Sequence, residues 1–166
     1  MKRIVVLSGA GISADSGLKT FRDIDGLWEG YRIEDVCTPE AFSRDPKQVI
    51  DFYNMRRRHA NEAQPNPAHY SLQALEAKYD VQIITQNVDL LHERAGSGKI
   101  LHLHGRLDQL RSSVNDEYIE TITGDQTLRH LDNRRNLMRP NIVWFGEDVP
   151  EFPRATRLMD LAEIVI

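Results

Sequence analysis

Apolar residues along this chain fall into two patterns. Short, mostly apolar runs recur at Ile4-Val5-Val6-Leu7, 81–85, 100–104, 142–145 and 162–166. Such runs read as strands buried on both faces of a parallel sheet. Between them lie helical signals. Asp45-Pro46 predicts a capped helix whose apolar face carries Val49, Ile50, Phe52 and Tyr53. Asn66-Pro67 repeats that start, and Tyr70, Leu72, Leu75 and Tyr79 continue a second helix. Residues 90–95 predict a short helix stopped by Gly96, 154–159 predict another, and 13–17 can open one after Gly9 and Gly11. Residues 21–44 lack a clean period and hold Gly26, Gly30 and Pro39, so they read as largely loop. Loops of that length in a compact domain are usually functional. Residues 106–139 are polar and irregular and read as an inserted or second lobe with little core of its own. Alternation of strands with helices predicts an α/β fold with a mainly parallel sheet.

Composition narrows the function. The formal charge is −4, which disfavours nucleic acid and anionic membrane surfaces as partners, since both select a positive field. Hydrophobic residues at 40% and charged residues at 28% place the chain among ordinary globular domains. No apolar run approaches the roughly 18 residues of a membrane span. A single cysteine, Cys37, excludes an internal disulfide and points to a reducing, cytoplasmic setting.

Three segments carry candidate chemistry. Gly9-Ala10-Gly11-Ile12-Ser13 follows the first strand, where glycines let backbone approach a pyrophosphate; the bland alternative is a tight turn. The spacing matches neither a dinucleotide GxGxxG loop nor a Walker A loop, which disfavours a dehydrogenase. Gln86-Asn87-Val88-Asp89 ends the second buried run, at the strand end where α/β sheets bind ligands; capping of the next helix is the alternative. His102 and His104 alternate, and His104 precedes Gly105. His104 suits a general base, while either histidine can serve as a structural hydrogen-bonder.

Taken in order, residues 9–17, Thr20-Phe21-Arg22, residues 85–92, His104-Gly105 and Val143-Trp144-Phe145-Gly146-Glu147 closely resemble the sirtuin family, and within it the bacterial NAD-dependent protein-lysine deacylases. The resemblance runs from residue 3 to residue 166. It implies a Rossmann-like lobe over 1–30, 80–105 and 140–166. A helical part of a small lobe, with the acyl pocket, would span 31–79, and a small-lobe insertion 106–139. NAD, consumed rather than recycled, would be held by Gly9, Ala10, Gly11, Ser13, Phe21, Arg22, Trp28, Gln86, Asn87, Val88 and Asp89. His104, with Asn87 and Asp89, would be catalytic. The substrate carbonyl would displace nicotinamide, and His104 would take a proton from a ribose hydroxyl. Nicotinamide and an O-acyl-ADP-ribose would be released. Val143, Phe145, Gly146 and Glu147 would line the cleft where an acyl-lysine peptide adds as a strand. Tyr53 and Arg56, three residues apart on one helix face, match the Tyr-x-x-Arg pair of relatives that accept succinyl or malonyl groups. Cys37 stands where similar bacterial sequences carry a small pocket residue.

The chain departs from the family in two places. Most sirtuins bind a structural zinc through four cysteines, and residues 107–139 hold none, so no zinc is expected. The family also continues beyond the position of Ile166, which implies that the C-terminal part of the Rossmann lobe is missing. Alternative functions are an NAD glycohydrolase, an ADP-ribosyltransferase, or an inactive remnant that binds NAD or peptide.

Overall fold

The computed structural model describes residues 1–20 and 27–166. In chain order its elements are β1 (Arg3–Ser8), α1 (Gly11–Ala14), α2 (Ile33–Val36), α3 (Pro39–Arg44), α4 (Pro46–Glu62), α5 (Pro67–Leu75), β2 (Asp80–Thr85), α6 (Leu91–Arg94), β3 (Ile100–His102), β4 (Gly105–Ser112), β5 (Ile119–Thr121), β6 (Met138–Ile142), α7 (Phe152–Asp160) and β7 (Ile164–Val165). They fall into two compact units. One comprises 1–20, 63–104 and 148–166; the other comprises 21–62 and 105–147.

The first unit is built on a parallel sheet of order β3-β2-β1-β7. Side chains alternate across a strand, so β1 buries Ile4 and Val6 on one face and Val5 on the other. Ile4, Val6, Val81 and Ile83 pack under Leu72 and Leu75 of α5. Val5, Ile84, Leu101 and Leu103 pack under Ala155, Leu158 and Met159 of α7. Both faces are therefore covered, as the unbroken apolar runs require. The start of α5 follows its sequence signal. The Asn66 side chain accepts from the Ala68 amide at 3.0 Å, and His69 Nδ1 accepts from the Asn66 amide at 3.2 Å.

The second unit joins α2, α3 and α4 to an antiparallel sheet of order β5-β4-β6. Asp45 caps α4 by accepting the Gln48 amide at 3.0 Å. The core of the sheet is small, comprising Leu110, Ile122 and Met138 with Tyr118 against them. Polar contacts add to it. Arg57 on α4 is buried; its Nε donates to the Leu107 carbonyl at 2.6 Å and its Nη1 to Asn54 Oδ1 at 2.9 Å. Asn54 in turn donates to the Gln126 carbonyl and accepts the Gln126 amide. Asp132 forms a second knot. It accepts the Ser112 hydroxyl at 2.6 Å, the Asn136 side chain, and the Arg134 and Asn136 amides.

Several expectations are corrected. Residues 33–36 and 39–44 are helical, not loop; Thr38 Oγ1 caps α3 from the Ala41 amide, and Pro39 opens it. Both helices are too short to show a period. The third strand of the parallel sheet stops at His102 rather than continuing to His104. Residues 106–139 form most of an ordered sheet with its own core, not an irregular segment. The run at 142–145 is not a strand of the parallel sheet: the strand there is β6, 138–142, paired antiparallel with β4. The first helix spans 11–14, and the last strand is confined to 164–165. Residues 67–79, expected in the small lobe, lie in the first unit, because Leu72, Leu75 and Tyr79 cover the parallel sheet.

Four hydrogen bonds act on the Asp132 carboxyl, the Ser112 hydroxyl foremost. Against the opposing effect of burial they hold it down from 3.8 to about 2. A carboxylate depressed in the folded state stabilises the fold above its unfolded value and loses that contribution as pH falls toward the folded one. Asp132→Asn is therefore expected to lower the urea midpoint at neutral pH and to flatten the stability curve between pH 3.8 and about 2. Urea titrations followed by circular dichroism check this; a variant with the parent's slope in that window would contradict it.

Candidate functional site

Strands β1 and β2 run side by side in register and end together, Ser8 opposite Thr85. The two polar loops that follow are thus neighbours at the carboxyl ends of parallel strands. Three side chains tie them. Asn87 Nδ2 donates to the Gly9 carbonyl and to Ser13 Oγ, both at 3.1 Å. Ser13 Oγ donates to Asp89 Oδ2 at 3.0 Å. Asp89 Oδ1 accepts the Leu91 amide at 3.0 Å in the first turn of α6. Asp89 therefore caps the helix with one oxygen, and its other oxygen is bonded to Ser13 beside the glycine loop. Ser13, Asn87, Val88 and Asp89 are buried, while Ala10, Gly11 and Gln86 are exposed.

Gly11 bears on whether NAD fits. A Cβ built there meets nothing within 4 Å among the described residues, and its φ is not positive, so neither packing against them nor backbone strain requires glycine. The space beside that backbone is open to a ligand phosphate. Gly9 is different, because a Cβ there would lie 3.4 Å from Gln86 Oε1. Phe21 and Arg22 lie outside the described residues.

Behind the loops runs a chain of buried polar groups that sequence reading did not single out. Ser8 Oγ donates to Thr85 Oγ1 at 2.8 Å, and Thr85 Oγ1 also accepts the Asn87 amide at 3.1 Å. With its proton given to Thr85, Ser8 accepts from His92 Nε2 at 2.9 Å. The His69 ring packs edge-on against His92, centroids 5.0 Å apart. Burial, then the neighbouring His69, lowers His92 from 6.5 to about 4. The available signal was a hydroxyl at the end of each apolar strand.

His102 and His104 differ in role. His102 Nδ1 donates to the Asn87 carbonyl at 2.8 Å, and its Nε2 lies 2.6 Å from Glu93 Oε1. It is a structural histidine that fixes the loop backbone. The His104 ring is half-buried, and no hydrogen bond among the described residues holds it. The following Gly105 has φ +85°, and a Cβ there would lie 1.9 Å from the Asn141 carbonyl oxygen, so only glycine lets β6 pass.

The second unit holds the other expected site residues. Tyr53 is buried; its hydroxyl accepts from Trp144 Nε1 at 3.0 Å and donates to Cys37 Sγ at 3.5 Å. Burial first, then Cys37, raises Tyr53 well above 10.0, so it remains a neutral donor, and burial pushes the Cys37 thiol up as well. The Arg56 guanidinium stacks 3.8 Å from the centre of the Trp28 ring and 5.7 Å from that of Tyr53. Trp28, expected among the cofactor contacts, is buried in this unit beside Phe52. Phe145 and Gly146 are exposed and Val143 is half-buried. The Phe145 amide is bonded to the Cys37 carbonyl at 3.1 Å. Both Glu147 oxygens are engaged, by Arg139 at 2.8 Å each and by the Trp144 amide at 2.8 Å. Glu147 therefore builds the segment rather than presenting a free carboxylate.

These features define an α/β protein with a polar ligand site at the ends of two parallel strands. Comparison with known proteins makes this specific. The model of the Sir2 family matches residues 9–166. An NAD-dependent protein deacylase of Aggregatibacter actinomycetemcomitans is 57% identical over 162 residues, covering 98% of this chain and 78% of the relative. A Sir2 homologue in complex with ADP-ribose superimposes with a TM-score of 0.89 at 40% identity, covering 99% of this chain and 68% of that one. A Sir2 homologue–NAD complex does so with a TM-score of 0.88 at 41% identity, covering 99% and 66%. The chain belongs to the Sir2 family.

A histidine held below its unfolded value destabilises the fold when acid forces a proton onto it. The His92 contribution is complete above pH 6.5 and is lost as pH falls through 6.5 toward about 4. In an NMR titration the His92 ring is expected to stay neutral until about pH 4, and an ordinary midpoint near 6.5 would contradict its burial.

Proposed function

We propose that this chain removes acyl groups from protein lysines with consumption of NAD, and that it accepts acidic acyl groups, succinyl and malonyl, as well as acetyl. One observation carries the NAD part. The glycine loop and the Gln86–Asp89 loop are tied at the ends of two paired strands, with open space at Gly11. The relatives' names agree with it. The acyl part rests on Tyr53, a buried neutral donor, and on Arg56 beside it.

Bound NAD supplies an electrophilic ribose carbon and nicotinamide as the leaving group. The chain's residues do the rest. Gly9, Ala10 and Gly11 offer backbone to the phosphates. Gln86 and Asn87 take a ribose, and Val88 with Asp89 orients the nicotinamide amide. Asn87 and Asp89 are held before ligand arrives, which lowers the ordering cost of binding. His104 takes the ribose hydroxyl proton on a ring nitrogen that no structural bond among the described residues occupies. Phe21 and Arg22 belong to the cofactor contacts in this reading. Tyr53 donates to the acyl carboxylate, and Arg56 pairs with it as a charged fork. The partner is a protein or peptide carrying acyl-lysine, taken as an added strand at Val143, Phe145 and Gly146, with Glu147 bracing the segment. The small lobe holds without zinc, a reading supported by the Ser112–Asp132–Asn136 bonds and by the lack of cysteine in 107–139. No described helix is long and apolar enough to cross a membrane. The single cysteine supports a cytoplasmic setting, and the acidic balance argues against nucleic acid as partner.

The test is incubation with NAD and matched acetyl- and succinyl-lysine peptides, with products read by mass spectrometry. O-acyl-ADP-ribose is expected; free ADP-ribose alone would make the chain a glycohydrolase. His104→Ala should lower turnover by about 10²–10⁴-fold. Tyr53→Phe with Arg56→Met should lower kcat/KM on succinyl peptide by roughly 10- to 100-fold and spare the acetyl peptide. An equal loss on both peptides would remove the selectivity claim.

A further inference from the structure

The bonds around Tyr53 extend beyond the pair that meets the acyl group. A phenol has one proton to give, whereas an indole N–H only donates. Because Trp144 Nε1 donates to the Tyr53 oxygen at 3.0 Å, that proton must point elsewhere, and it goes to Cys37 Sγ at 3.5 Å. Sulfur is a weak acceptor, so the proton is aimed but loosely held. The indole itself is fixed from two sides. The Arg139 guanidinium lies 3.4 Å from the centre of its ring, and Glu147, which grips Arg139 through both oxygens, also accepts the Trp144 amide. Trp144 and Arg139 are buried. An unbroken series of contacts thus runs Glu147–Arg139–Trp144–Tyr53–Cys37.

We propose that Trp144, locked by Arg139 and Glu147, is a positioning residue for acyl selectivity: it fixes the direction in which Tyr53 donates, while Cys37 holds that proton until an acidic acyl group takes it. The inference rests on the reading of Tyr53 and Arg56 as the acidic-acyl pair. Its consequence is a sign difference. Removing the indole N–H lets the Tyr53 hydroxyl turn away, so a carboxylate is bound less well. Removing the Cys37 sulfur takes away the competing acceptor, so a carboxylate is bound better.

Trp144→Phe keeps an aromatic ring and deletes the donor. With saturating NAD, KM for a succinyl-lysine peptide is expected to rise about tenfold, with a change of less than about threefold for the matched acetyl peptide. Cys37→Ala is expected to raise the succinyl-to-acetyl ratio of kcat/KM by about two- to threefold. Acetyl turnover in the same preparation reports whether each variant is folded. A parallel change on both peptides in Trp144→Phe, or an unchanged or lowered ratio in Cys37→Ala, overturns the proposal. Tyr53→Phe separates the two levels. If it shifts the ratio and Trp144→Phe does not, only the positioning role falls; if Tyr53→Phe leaves the ratio alone, the acidic-acyl reading falls with it. Because Cys37→Ala is a small change, it decides the matter even if Trp144→Phe fails to fold.

Discussion

The parallel pairing of β1 with β2 is the constraint on which the ligand site depends. Their register sets Ser8 against Thr85, and both loops leave the sheet from that one line. Hydroxyls at those two positions do what apolar residues could not. They carry a hydrogen-bonded chain from His92 through Ser8 and Thr85 to the Asn87 amide, inside a region otherwise packed with Ile and Val. Buried polar chains of this kind are costly when incomplete and rigid when satisfied. Here His92 Nδ1 has no partner among the described residues, while the links from Ser8 onward hold Asn87, whose side-chain amide closes on Gly9 and Ser13.

The second unit meets a different problem. Its sheet buries few large apolar side chains; Val36, Val49, Ile50, Phe52, Tyr53 and Trp144 are buried elsewhere in the unit. Two polar knots brace the sheet. Arg57 places a buried cation among the carbonyls of Leu107 and Gly124 and the Asn54 oxygen, joining α4 to the sheet. Asp132 gathers four donors and joins β4 to the turn before β6. Hydrogen bonds to charged groups contribute about 1.5–3 kcal/mol each, and stranding a buried charge costs more than the bond was worth. Loss of either hub is therefore felt more strongly than loss of one apolar contact in this unit.

Much of this was legible in sequence. Unbroken apolar runs announced a sheet covered on both faces, and Asp45-Pro46 and Asn66-Pro67 marked two helix starts that the structure keeps. The errors share a physical cause. Residues 33–44 form helices of four and six residues, too short to repeat an apolar face. In β4 the buried positions Leu107, Leu110 and Ser112 do not alternate cleanly, because the strand pairing shifts between Gly105 and Leu110. The run at 142–145 has parallel-strand composition but lies in a segment whose amides are spoken for by Glu147 and Cys37. Of the site, Gly11, Asn87, Asp89 and Tyr53 were visible as residue types in suitable places. The Arg139–Trp144–Tyr53 series was not, since it joins positions far apart in the chain through side-chain geometry alone.

That contrast separates two kinds of site residue. Asp89, Asn87 and Tyr53 each carry structural bonds as well as a proposed ligand role, so their substitution disturbs the fold and the chemistry together. Asp89 is the clearest case, with one oxygen on the α6 backbone and the other on Ser13. His104 is the opposite: no bond among the described residues holds its ring, and only glycine fits at the position that follows it. A group that must accept and release a proton in each turnover is best left without a structural partner, because every such bond would have to be broken or would bias its protonation. In this chain Asn87 and Asp89 are tied several times over, whereas no bond among the described residues holds the ring of His104, the group proposed as the base.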